Sequence, residues 1–169
     1  MRSKLQKLRT AIFGESGSAT VHFVILFPFF FSLFMSSFEL SLYLVRDMML
    51  EHAVDVNVRL LRLGAMEPAT QEELKRRICN DAVILADCPN SVLVELTPVS
   101  TSTWNLPASD VACVKRDEEV QPEVGFDVGN QNNLMVVRAC AVADPFFPTT
   151  AGVLEMPRDE SGGYRLVAI

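Results

Sequence analysis

Between Val21 and Val45 the chain runs for 25 residues without a lysine, arginine or aspartate, and most positions are Phe, Leu, Val or Ile. At about 1.5 Å per residue, a helix of this length covers the ~30 Å hydrocarbon core of a bilayer. His22, Pro28 and Glu39 lie inside the run, and a plain anchor needs none of them. Beyond it, Leu42, Val45, Met49, Ala53, Val56, Leu60 and Leu63 recur at helical spacing, while Asp47, Glu51, Asp55, Arg59 and Arg62 fall elsewhere. Gly64 marks the end as a C-cap, and Pro68 follows. The pattern predicts one long N-terminal helix over residues 18–64, half transmembrane and half exported and amphipathic. Its apolar stripe fits core packing, and it also fits a seam against neighbouring subunits.

A second helix is predicted from "PATQEELKRRICNDAV", where Thr70 and Glu73 form a capping box and Leu74 and Ile78 an apolar face. Strand patterns follow in "SVLVELTPV", with Val92, Val94 and Leu96 alternating, in the short "DVACVK", in "NLMVVRACAVAD" and in "YRLVAI". The segments between them are rich in turn residues. Residues 65–169 therefore read as an α+β domain, with a small helix and a roughly four-stranded antiparallel sheet. The chain ends inside an apolar strand, so the natural C-terminus is expected to extend further.

Charge sets the orientation. Arg2, Lys4, Lys7 and Arg9 precede the apolar run, with Glu15 the only acid among them, and Arg46 and Asp47 cancel just after it. The positive-inside rule leaves the N-terminus in the cytoplasm and exports the rest. The run is too long for a signal-peptide core, and no small-x-small cleavage site follows it. The exported part holds 11 of the 15 basic and 19 of the 21 acidic residues. That acidic excess repels phosphate backbones, so nucleic acid is not an expected partner.

All four cysteines, Cys79, Cys88, Cys113 and Cys140, lie on the exported side, where an even count reads as two disulfides. There is no C-x-x-C pair and no histidine nearby to suggest zinc. Of the three possible connectivities, Cys79–Cys88 with Cys113–Cys140 follows the local structure best. The first pair would close the loop after the second helix, and the second would join two neighbouring strands.

Catalytic chemistry needs convergent groups, and few are present. Both histidines, His22 and His52, lie on the long helix, and no G-x-S-x-G, phosphate loop or H-E-x-x-H occurs. Asp127, Asn130 and Asn132 fit a polar turn better than a calcium loop. The expectation is a protein without enzymatic activity, cofactor or metal. A membrane-anchored periplasmic enzyme or sensor is the alternative.

A basic leader, then Gly17, then the small residues Ser18, Ala19 and Thr20, then "VHFVILFP" from Val21 to Pro28 with Phe23 inside it, then "FEL" from Phe38 to Leu40, is a specific combination. Over about residues 14 to 60 it resembles the TadE-like family of the tight-adherence (Tad, Flp) type IV pilus system. The resemblance implies a pilin-like fold and a structural role as a minor pilin or pseudopilin in pilus assembly, adhesion and biofilm. It implies cleavage after Gly17 by a prepilin peptidase, with residues 1–17 as the leader and Ser18 as the new N-terminus. Its implied partners are the membrane, a TadF- or TadG-like minor pilin, the Flp major pilin and the inner-membrane assembly platform. One position departs from the family pattern: its usual acid, five residues into the mature helix, is His22. In pilins that acid neutralises the amino group of an adjacent subunit. Imidazole accepts a hydrogen bond from an ammonium when neutral and repels it when protonated. His22 therefore suits a subunit that enters an assembly once, at a tip or initiating complex, or simply a headgroup position. Glu39 would pair with a partner's cation or reach towards water, and Pro28 would loosen the helix.

Overall fold

The computed structural model describes residues 18–108, 110–118, 120–130, 132–148 and 155–169. The chain divides into two compact units, one ending at Phe38 and the other running from Glu39 to Ile169. Helix α1, Ser18–Arg62, supplies the described part of the first unit and the first element of the second. In the first unit every described side chain from Ala19 to Phe34 is exposed, as an apolar surface made for lipid requires. Pro28 sits inside the helix, where it donates no backbone hydrogen bond. Downstream, the hydroxyls of Ser32 and Ser37 donate to the carbonyls of Phe29 and Leu33, both at 2.8 Å. Such bonds keep polar groups satisfied within the helix, a condition for spanning a bilayer.

The second unit is a layered α+β domain. α1 ends where expected. Gly64 takes a φ of +67°, its N–H donates to the Leu61 carbonyl, and the Ala65 N–H reaches the Leu60 carbonyl. These two bonds make a Schellman cap. α2, Gln71–Asp81, starts at Thr70, whose hydroxyl accepts from the Glu73 N–H at 3.3 Å. Only half of the capping box forms, because the Glu73 carboxylate turns to Arg76 and Arg77 instead. A single short turn of helix, α3 at Cys88–Ser91, fills the segment read as a loop.

Strands β1 (Val92–Val99), β2 (Leu134–Ala143) and β3 (Tyr164–Ala168) form one antiparallel sheet in chain order. Val94 faces Ala139, and Ala139 faces Ala168. Val92, Val94, Ala139, Ala141, Leu166 and Ala168 thus share one face. They pack with Leu50, Ala53 and Val54 of α1 and Leu74 and Ile78 of α2 into the core.

Among the described residues the sheet has three strands, not the roughly four expected. "DVACVK" is not a strand, and with β1 and β3 paired along the two edges of β2 it has no place beside Cys140. It lies instead over the second face of the sheet, with Val111 and Val114 buried. Cys113 is therefore linked to Cys140 from a loop rather than from a neighbouring strand. Both disulfides have the expected pairing, with Cα–Cα distances of 5.5 Å for Cys79–Cys88 and 5.1 Å for Cys113–Cys140. On the same second face Arg138 and Glu95 pair across the strands at 2.6 Å, largely buried, and Arg138 also donates to the Ala108 carbonyl. Burial on both faces explains why β2 reads as an almost unbroken apolar run.

Candidate assembly site

The residues singled out on the long helix divide between the two units. Gly17 lies outside the described residues, as does the rest of the leader, and α1 begins at Ser18. His22, Phe23 and Pro28 lie on the exposed helix of the first unit. Phe23 stacks along the helix on Phe27, with centroids 5.1 Å apart, and Phe27 on Phe31 at 5.6 Å. Glu39 opens the second unit, whereas His22 belongs to the first.

Glu39 is turned inward and only 1% exposed. One carboxylate oxygen accepts from the Phe146 N–H and the other from the Phe147 N–H, each at 2.9 Å. This answers the question of what it pairs with. Both oxygens are engaged by the chain's own backbone, rather than by water. Bonds from backbone N–H groups to a carboxylate are charge-assisted and among the stronger ones available.

The loop that supplies these donors is held at further points. One turn pair along α1, Arg46 donates to the Asp144 carbonyl at 2.9 Å, and Arg116 grips the Asp144 carboxylate at 2.6 Å. The Tyr43 ring meets Tyr164 edge-on at 5.8 Å, and its hydroxyl reaches the Arg165 carbonyl at 3.3 Å. Burial, and after it the charge of Glu39, pushes the Tyr164 phenol above its ordinary pKa. Further along, buried Asn57 donates to the Ala53 carbonyl at 2.8 Å and to the Asp81 carboxylate at 2.6 Å, tying α1 to the end of α2.

The buried face of α1 is therefore Glu39, Leu50, Ala53, Val54 and Asn57, with Tyr43 and Leu61 half-buried beside it. It is not the predicted stripe. Val45 is 43% exposed and Leu63 71% exposed, and of the predicted positions only Ala53 is buried. The true stripe sits about one residue, or 100°, away. It carries Glu39, Arg46 and Asn57 in phase with Leu50 and Ala53, and a search for apolar residues alone passes over those polar members. The sequence pattern marks Arg46 only as a charge beyond the apolar run, and the Phe146–Phe147 loop only as part of a turn-rich segment. Two phenylalanines set between Pro145 and Pro148 in a turn-rich segment were the available signal.

Elsewhere, Asp127 accepts from the Gly129 N–H at 2.8 Å, which is the polar turn expected there. Among the described residues no group of three or more His, Cys, Asp or Glu side chains gathers. A cleft of 570 Å³ is lined by Arg46, Lys75, Arg116, Asp87 and Asp144, and burial lowers the Lys75 pKa. Arg46 and Arg116 are already engaged there by Asp144.

A membrane-length apolar helix together with a small disulfide-stapled α+β domain is compatible with a single-pass membrane-anchored protein. Within it, residues 17–59 match the family model described as TadE-like protein. The match covers about a quarter of the chain and stops inside α1, so α2 and the sheet lie beyond it. It ties the helix to proteins associated with the Tad pilus. No curated protein and no solved structure matches the chain.

Proposed function

We propose that the chain is a minor pilin or pseudopilin of a Tad/Flp pilus, a structural subunit rather than an enzyme. The observation that carries this reading is the TadE-like match, which begins at Gly17 and runs through the exposed apolar helix into the domain. In this reading the N-terminus is cytoplasmic, α1 crosses the inner membrane once and the domain is periplasmic. A prepilin peptidase cuts after Gly17, where a residue without a side chain opposes helix and offers nothing to clash with an extended-backbone site. His22 carries no fixed negative charge for pairing with the amine of a second copy. The subunit therefore joins a different partner, a TadF- or TadG-like minor pilin, at the tip or initiating complex above the assembly platform and its Flp pilin.

The test is N-terminal sequencing of the membrane protein co-expressed with its cognate peptidase. A mature chain starting at Ser18, with cleavage blocked by Gly17→Arg, supports the reading. A chain still starting at Met1 in a piliated strain overturns the processing step. Cysteines placed at Val45 and Met48, which are exposed on the exported half of α1, should cross-link to the minor pilin partner. Homopolymer ladders would instead mark a filament-building subunit.

A further inference from the structure

We propose that the 570 Å³ cleft of the second unit is a binding site for a carboxylate, with Lys75 as the counter-ion. All of its lining residues lie between Arg46 and Asp144, within that unit, so the site is independent of how α1 meets a membrane. Charge is the first reason. Three cations and two acids line the cleft. Asp144 is held by Arg116 at 2.6 Å, and its carbonyl accepts from Arg46. Asp87 accepts from the Asn90 side chain at 2.9 Å. Glu73, on the same helix as Lys75, is taken by Arg76 and Arg77. Among the described residues Lys75 has no hydrogen bond and no ion pair. It is nevertheless partly buried, and loss of water lowers its pKa. A lysine kept for solubility extends its amine into water. A desolvated ammonium without a counter-ion is costly, and a ligand carboxylate removes that cost.

The walls are the second reason. Leu93 and Val142, from the second face of the sheet, and Val114, from the loop over it, make part of the lining apolar. Cys79–Cys88 ties α2 to α3, and Cys113–Cys140 ties the Val114 segment to β2. Covalent bonds thus fix the walls before any ligand arrives. A preformed concave site with apolar walls and one placed charge suits a small group. One unpaired cation balances one negative charge. A phosphate group brings close to two into a domain already rich in acids. A carboxylate on a short hydrocarbon stem therefore fits better. Such a group occurs on a free organic acid and on the acidic side chain of a protein partner.

The test uses the full-length chain in detergent micelles, treated with a trace of acetic anhydride at mildly alkaline pH. After reduction, cleavage at glutamate separates Lys75, on Leu74–Glu95, from Lys115, on Leu96–Glu118. Butyrate and the peptide acetyl-Ala-Glu-Ala-amide are the two probes, and inorganic phosphate is the control. Both probes should slow acetylation of Lys75 saturably, by roughly tenfold, because a bound carboxylate favours the protonated amine. Lys115, already paired with Glu118, should not change. Tighter protection by the peptide supports the site and assigns it to a protein's acidic side chain. Tighter protection by butyrate supports it and assigns it to a free acid. K75Q should abolish the calorimetric heat of probe binding, with both disulfides intact by peptide mapping. Undiminished binding by K75Q overturns the role of Lys75. Equal protection by phosphate overturns the choice of ligand. No protection of Lys75 by either probe overturns the site.

Discussion

The two parts of α1 invert the usual relation between polarity and burial. From Ala19 to Phe34 the side chains are mostly aromatic or aliphatic, and all are exposed. From Glu39 to Arg62 the helix is far more polar, yet it buries Glu39 and Asn57 beside Leu50 and Ala53. An apolar residue needs only to leave water, and lipid serves it as well as a protein core does. A polar residue in a core needs partners, and each of these has them: Glu39 in two backbone N–H groups, Asn57 in Ala53 and Asp81. The first part of the helix is specified by its solvent, the second by named contacts.

The largest expected effect separates the two parts directly. Leu50→Ala should leave a cavity in the core and cost about 3–4 kcal/mol in denaturant unfolding of the domain. Phe30→Ala in the other part should leave the unfolding midpoint unchanged, since that side chain is 63% exposed and adds nothing to the buried core. An equal loss from both would erase the distinction.

Next comes Glu39→Ala, which leaves two backbone donors without their acceptor. A loss of about 2–3 kcal/mol is expected, together with faster amide exchange at Phe146 and Phe147. Glu39→Gln keeps one acceptor oxygen and should lose less. A silent Glu39→Ala would mean that polar burial contributes nothing to holding the loop.

Gly64 tests the junction where α1 ends. Its φ of +67° disfavours any side chain, while no neighbour lies close enough to clash with an added methyl group. Gly64→Ala should cost about 1 kcal/mol through the backbone alone. A much larger loss would reveal packing at the cap.

The smallest effect comes from a polar group that is not buried. Hydrogen bonds from Arg76 and Arg77 hold the Glu73 carboxyl down at about 2, from an ordinary value of 4.5. Because the folded-state pKa is lowered, the contribution of this cluster is present above about pH 4.5 and fades as the pH falls towards 2. The stability difference between the native chain and Glu73→Gln should be flat above that window and shrink within it. Solvent screening keeps it small. A difference that persists at pH 2 would break the assignment.

Much of this was readable in the chain. The lipid-facing run, the Gly64 cap, the Thr70 cap, the alternation of β1 and the even cysteine count all depend on residues near one another in sequence. Local backbone preference and solvent transfer act there without reference to the rest of the fold. The Cys79–Cys88 bridge was accessible too, because it closes 9 residues at the end of α2; Cys113 pairs with Cys140 as expected, but from a loop and not from the neighbouring strand expected.

Other features depend on pairings the chain does not announce. Glu39 meets Phe146 across 107 positions, and Tyr43 meets Arg165 across 122. The face that α1 turns inward follows from those contacts. The face turned inward is the one whose polar members, Glu39 and Asn57, find partners. That "DVACVK" could not lie beside β2 was likewise decided elsewhere, by β1 and β3 occupying both edges of that strand. By itself the sequence determined which segments leave water and where helices start and stop, because those are properties of a residue and its neighbours. Only the tertiary structure decided which polar groups are buried and what they hold, because a buried charge is stable only beside a partner that folding brings to it.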